Sequence, residues 1–172
     1  AEEIAEGISK YGDKINKEQY IVFYYNLAYV YFGNSEYSEA LKWVNLLLND
    51  NEQVLRQDIY NFARFFNLII HYELENYDLI EYLIKSTTRY LKKQNKDYLT
   101  ETVILKYLKK LVKVQTDDAR KKTFSEFKDE FETLLENPRE QVVLQYFDFL
   151  SWMDSHVKGI GFSEAIKERH HS

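Results

Sequence analysis

The sequence contains no cysteine, and this absence excludes a disulfide framework, a thiolate nucleophile and any metal site with cysteine ligands. A chain without cysteine fits a reducing compartment, so we expect a cytoplasmic location. The sequence also lacks a run of about 18 consecutive apolar residues. Its most apolar stretch, residues 65–70, is interrupted by Asn67. We therefore expect no membrane-spanning segment and no membrane partner.

Residues that break helices are scarce: the 172 residues include one proline and five glycines. This scarcity favours long helices over a sheet of many strands. Aromatic residues are abundant instead, with 15 Tyr, 11 Phe and two Trp. Because Tyr and Phe favour strands when judged by propensity alone, the prediction of helix depends on the spacing of the apolar residues.

Apolar residues at helical spacing, separated by polar or glycine stops, predict an all-α fold of about nine helices. Asp97 is a predicted N-cap. Asn137, Pro138 and Glu140 form a predicted N-cap, first helical position and capping box. Short loops make neighbouring helices antiparallel, and the absence of a Pro/Gly/Ser linker predicts one domain. The predicted helices cover residues 4–15, 18–32, 36–48, 54–74, 77–93, 98–114, 119–135, 137–157 and 162–169.

The net charge of −5 argues against general nucleic-acid binding, so no nucleic-acid partner is predicted. The charge is unevenly distributed. Residues 85–122 contain 12 Lys/Arg and 4 Asp/Glu, which gives a net charge of +8. The other residues contain 11 Lys/Arg and 24 Asp/Glu, which gives a net charge of −13. One interpretation is a solvated lysine face on the middle helices. The alternatives are a patch for an acidic partner and a surface for self-association.

No pattern of catalytic or ligand residues emerges. The four histidines are His71, His156, His170 and His171, and none has a metal-ligand spacing such as HExxH. The glycine-rich phosphate-binding motifs and GxSxG are missing, and the paired carboxylates lie on helices beside lysines. We therefore predict that the protein is not an enzyme, with no catalytic residue, no metal site and no cofactor.

One segment has the spacing of a known helical repeat, in the residues Tyr24, Leu27, Ala28, Tyr31, Tyr37, Ala40, Val44 and Leu47. It resembles the tetratricopeptide repeat (TPR), whose small residues allow close approach of paired helices and whose large residues fill the space between hairpins. Degenerate copies recur at Asn67, Tyr77 and Ile80, and at Trp152, Phe162 and Ala165.

The resemblance covers residues 17–169 and implies stacked antiparallel hairpins in a right-handed superhelix. Residues 1–16 are then the end of a preceding repeat or a capping helix, residues 17–172 are the repeat domain, and the chain is expected to be part of a larger protein. The copies depart from the family in their period of about 40 residues, against about 34 in the family, and in lacking the proline at each repeat end. An unrelated helical bundle or another helical-hairpin solenoid is the alternative.

In the family that the chain resembles, the first helix of each hairpin lines a concave groove. By spacing, this face carries large aromatic residues, and such a surface is typical of a binding site because monomers rarely leave it bare. The alternative is that these residues form the core. We therefore expect a scaffold that binds a protein or peptide, with a peptide-sensing regulatory domain and a purely structural spacer as alternatives. The predicted groove residues are Tyr25, Tyr29, Phe32, Phe62, Phe65 and Tyr72.

Overall fold

A computed structural model describes residues 16–50, 55–94 and 98–171 of the chain. These residues form eight α-helices and one 3-10 helix with no β-strand among them, which confirms the all-α prediction. The predicted helix over residues 4–15 lies outside the described residues. The helices are α1 Lys17–Gly33, α2 Tyr37–Leu48, α3 Gln57–Glu73, α4 Tyr77–Gln94, α5 Leu99–Leu111, α6 Asp117–Leu135, the 3-10 helix Glu140–Gln145, α7 Phe149–Lys158 and α8 Phe162–His171.

The chain divides into two compact units, Ala1–Leu74 and Glu75–Ser172, and each is described by itself. The sequence predicts one domain because it contains no flexible linker. The boundary between the two units lies at a tight turn at Glu75, whose φ of 57° places it in the left-handed region. A short turn of this kind separates two units without any change in composition. In the described part of either unit, no helix is both long and apolar enough to span a bilayer.

The first described helix of the first unit, α1, is capped at its N-terminus. The Asn16 side chain accepts from the backbone N–H of Gln19 at 2.9 Å, and the Gln19 side chain accepts from the backbone N–H of Asn16 at 3.1 Å. This reciprocal pair satisfies two amides that would otherwise have no partner in the first turn. The helix ends at Gly33, one residue beyond the predicted end, and the positive φ of the turn belongs to Ser35. Helix α1 packs on α2, and α2 packs on α3.

Helix α3 forms the centre of the first unit. From Ile59 to Tyr72, every residue except Arg64 is buried. A helix that is apolar on all sides is typically enclosed by its neighbours rather than lying at a surface. The buried residues include three polar ones, Asn61, Asn67 and His71, and the Asn67 amide donates to the Asn45 side chain at 3.4 Å.

The second unit is a series of packed helices from α4 to α8. On α5 and α6, the Tyr107 ring stacks on Phe127 with centroids 4.7 Å apart, and its hydroxyl donates to Glu130 at 2.8 Å. Burial raises the pKa of Tyr107, so the phenol stays protonated and serves as a donor. Glu130 also accepts from Lys106 at 2.6 Å, and this bond is the main reason why the pKa of Glu130 is lowered. These contacts hold α5 against α6.

The prediction of one helix over residues 137–157 is wrong. The chain forms a 3-10 helix and then starts α7 afresh, with the Asp148 carboxylate accepting from the backbone N–H of Ser151 at 2.9 Å. The break allows Phe147 to turn into the core, where it stacks on Phe162 with centroids 5.3 Å apart. Glu140 does not complete a capping box with Asn137. It accepts from Thr100 on α5 instead.

Candidate functional site

The structure places five of the six predicted groove residues in the core. Only Tyr29 is partly exposed, and the expectation of an exposed aromatic wall is wrong for the other five. For the α1 residues the physical reason is Phe66 on α3, whose ring centroid lies 5.7 Å from Tyr25, 6.1 Å from Tyr29 and 5.3 Å from Phe32. The other three lie on α3 itself, which is buried on nearly all sides. The alternative given above, that these residues form the core, is therefore the correct one for the five buried residues. The buried residues are Tyr25, Phe32, Phe62, Phe65 and Tyr72.

The first unit has a different concave surface, a cleft of about 370 Å³ between the start of α1, the end of α2 and the start of α3. Its volume is within the range of ligand pockets, which is roughly 300–1,000 Å³. We name it the α1–α2 cleft. It is lined by Lys17, Tyr20, Ile21, Tyr24, Leu46, Leu47, Asp50 and Tyr60.

The floor of the α1–α2 cleft is apolar and its lip is exposed. Ile21 and Leu47 are buried, whereas Leu46 remains 48% exposed. Two tyrosines of α1 form the aromatic wall: the rings of Tyr20 and Tyr24 lie 5.8 Å apart, and Tyr24 packs on Trp43 at 5.5 Å. Because the rings pack on one another, contacts within the protein hold the wall in place.

A charged pair closes one end of the cleft. Lys17 Nζ lies 3.0 Å from Asp50 Oδ1, and the Tyr60 hydroxyl donates to Asp50 Oδ2 at 2.7 Å. Both oxygens of the Asp50 carboxylate are therefore held, so the end of the cleft is polar and fixed in geometry. Partial burial of Tyr24, with the nearby Tyr20, raises the Tyr24 pKa, so its hydroxyl is neutral near pH 7 and can both donate and accept.

The cleft residues share one helical stripe that the sequence already contained. Lys17, Tyr20, Ile21 and Tyr24 follow the spacing i, i+3, i+4 and i+7, which places them on one face of α1. The resemblance to the repeat placed Tyr24 in the packing between helices, so the sequence analysis did not identify these four residues as the wall of a cleft. What the sequence does not reveal is that the end of α2 lies opposite this face.

Several other ionisable side chains are buried or held by contacts within the protein. In the second unit, the Asp154 carboxylate is 2.6 Å from Lys128 Nζ and 3.3 Å from Arg169, beside an open cavity of about 580 Å³. His71 is buried in α3, and the His156 ring stacks on Phe124 at 4.1 Å. Across the described ranges, no group of three or more His, Asp or Glu side chains is arranged to hold a metal ion.

Comparison with known proteins gives no match to a family model, to a curated protein or to a solved structure.

Proposed function

We propose that this chain is a protein–protein interaction scaffold with a TPR-like arrangement of helical hairpins, and that it binds a peptide or helix in the α1–α2 cleft. The observation that carries the proposal is the cleft itself, with an apolar floor, an aromatic wall and a polar end held by the pair of Lys17 and Asp50. The TPR-like arrangement is supported by the complete burial of Ala28 and Ala40, the two small residues of the best repeat copy. The absence of cysteine supports a cytoplasmic location.

The chemistry of the cleft defines the ligand. An apolar side chain fits against Ile21 and Leu47, while Tyr20 and Tyr24 offer rigid rings with large contact area and little loss of side-chain freedom. At the polar end, Lys17 and Asp50 can bond a peptide carbonyl or amide. The cleft therefore fits a peptide segment with a large apolar anchor next to a polar backbone group, and no catalytic step or cofactor is part of the proposal.

A random-peptide display library tests the proposal with the whole chain as bait. We expect enriched peptides to share a large apolar residue. Leu46→Asp should weaken their binding about tenfold, because it places a charge on the lip of the cleft. Leu46 is 48% exposed, so the fold should tolerate this change.

Leu99→Asp is the matched control, because Leu99 is 56% exposed and lies in the second unit. Peptides that bind both variants as tightly as the unmodified chain would place the binding surface elsewhere. Failure to enrich any peptide would favour the structural-spacer alternative.

A further inference from the structure

Helix α4 has two opposite faces with different roles. Ile80, Ile84 and Thr87 form its buried stripe. On the other face, two large apolar side chains are exposed, Leu79 at 42% and Tyr82 at 62%, and four basic residues follow them at helical spacing. We name this face the α4 stripe: Leu79, Tyr82, Lys85, Arg89, Lys92 and Lys93.

The four cations of the α4 stripe form no ion pair or hydrogen bond with the described part of the chain, although lysines on α5 do form such pairs. Lys92 and Lys93 lie in the last turn of α4, where positive charge stabilises the helix terminus. That effect fades within one turn of the helix end. Neither this effect nor an ion pair within the described part of the chain accounts for Lys85 and Arg89.

The charge along the stripe changes sign. Asp78 and Glu81 lie in the turn that carries Leu79 and Tyr82, whereas the basic residues occupy the later turns. A ligand of uniform negative charge, such as a nucleic acid or an anionic membrane, would meet the carboxylate of Asp78 at the first end, beside Glu81, which lies 3.8 Å from Lys113 just after α5. A ligand that is apolar at one end and acidic at the other meets complementary groups along the whole stripe.

We propose that the α4 stripe binds an acidic segment of another protein. Apolar side chains of that segment pack on Leu79 and Tyr82, and its carboxylates pair with the basic residues of the stripe. From residue 79 to residue 93 the stripe is about 21 Å long at the rise of an α-helix, which matches roughly six extended residues. This partner surface lies within the second unit. It does not depend on the α1–α2 cleft, and the two can fail separately.

A labelled probe peptide with Leu and Phe at one end and a run of Glu at the other tests the proposal by fluorescence anisotropy against the whole chain. We expect saturable binding that weakens as salt is raised, because the ionic contacts are exposed and screened. A peptide of the same composition with alternating apolar and acidic residues should bind more weakly, since it cannot match both ends of the stripe.

Charge reversal locates the contact. Lys85→Glu with Arg89→Glu should weaken the probe peptide about tenfold, because two attractions become repulsions. The matched control is Lys121→Glu with Lys122→Glu, which makes the same change in net charge at two exposed lysines of α6. Tyr82→Ala should weaken binding without changing net charge. Circular dichroism should show all variants folded, because the substituted side chains are exposed.

Three results would overturn the proposal. The first is no binding of the probe peptide. The second is equal weakening by the α4 and α6 charge reversals, which would reduce the effect to overall charge. The third is tighter binding of a single-stranded oligonucleotide or of anionic vesicles than of the probe peptide, which would identify the stripe as a surface for polyanions.

Discussion

At the scale of single residues, small side chains set the packing of α1 against α2. Ala28 and Ala40 are both fully buried. We expect Ala40→Leu to lower the free energy of unfolding by about 1–3 kcal/mol, because the added methylenes have no space. Urea unfolding followed through Trp43 on α2 measures this loss. Ala119→Leu, at an exposed position of α6, should leave the midpoint nearly unchanged. Equal midpoints for the two variants would show that the assigned repeat register is incorrect.

Two tyrosines of α1, Tyr25 and Tyr29, differ in how deeply their side chains are buried. Tyr25 is 6% exposed and packs on Phe66, whereas Tyr29 retains more exposure and touches the same ring from farther away. We expect Tyr25→Ala to cost about 3 kcal/mol of stability, since it removes a buried ring and leaves a cavity. Tyr29→Ala should cost about half as much. Thermal melts of both variants measure these losses of stability. An unchanged melting temperature for Tyr25→Ala would show that Tyr25 is not a core residue and is available to a partner.

At the scale of elements, the start of α5 depends on a residue 40 positions away. The carboxylate of Glu140, itself buried, accepts from both the backbone N–H and the hydroxyl of Thr100 at 2.9 Å. We expect Glu140→Ala to destabilise the protein by about 1–3 kcal/mol, because it leaves two buried donors without an acceptor. Glu140→Gln should lower the stability by less, since the remaining side-chain oxygen can still accept from Thr100.

Hydrogen exchange of the α5 amides, together with urea unfolding, measures this effect. Glu136→Ala is the control, because Glu136 is an exposed carboxylate on the same connection. Protection of α5 that is identical in the Glu140 and Glu136 variants would mean that the long-range cap contributes nothing to the helix.

At the scale of the whole molecule, the pH dependence of stability should carry a contribution from His71. Burial lowers its pKa below 6.5, so the folded state favours the neutral ring. The unfolded chain then binds more protons near and below pH 6.5. The stability from this group is present above that value and declines as the pH falls through it. We expect His71→Gln to flatten this part of the profile.

Urea midpoints measured across this pH range through Trp43 fluorescence test the expectation. A Trp152→Phe background removes the second tryptophan, so the signal reports the unit that contains His71. His171→Gln, at an exposed position of α8, should leave the slope as it is. Identical profiles for His71→Gln and its parent would show that His71 is not held neutral by the fold.

The sequence by itself determined most of the helices in the described residues. Few breakers and a helical apolar period predict the helices, and local signals such as the Gly33 stop predict several of their ends. These features depend on neighbours within a few residues, which a sequence displays directly. The continuous helix through residues 146–148 is a wrong prediction, because the burial of Phe147 against Phe162 involves a partner 15 positions away.

Only the tertiary structure decided which aromatic face is buried. Tyr25 and Tyr24 lie on adjacent stripes of α1, and their composition does not distinguish core from surface. Phe66 on α3 covers the Tyr25 side, whereas the end of α2 borders the Tyr24 side and leaves the α1–α2 cleft open. Helical periodicity specifies which residues share a face. The helix packed against that face sets its exposure, because burial is a property of pairs of elements that are distant in sequence.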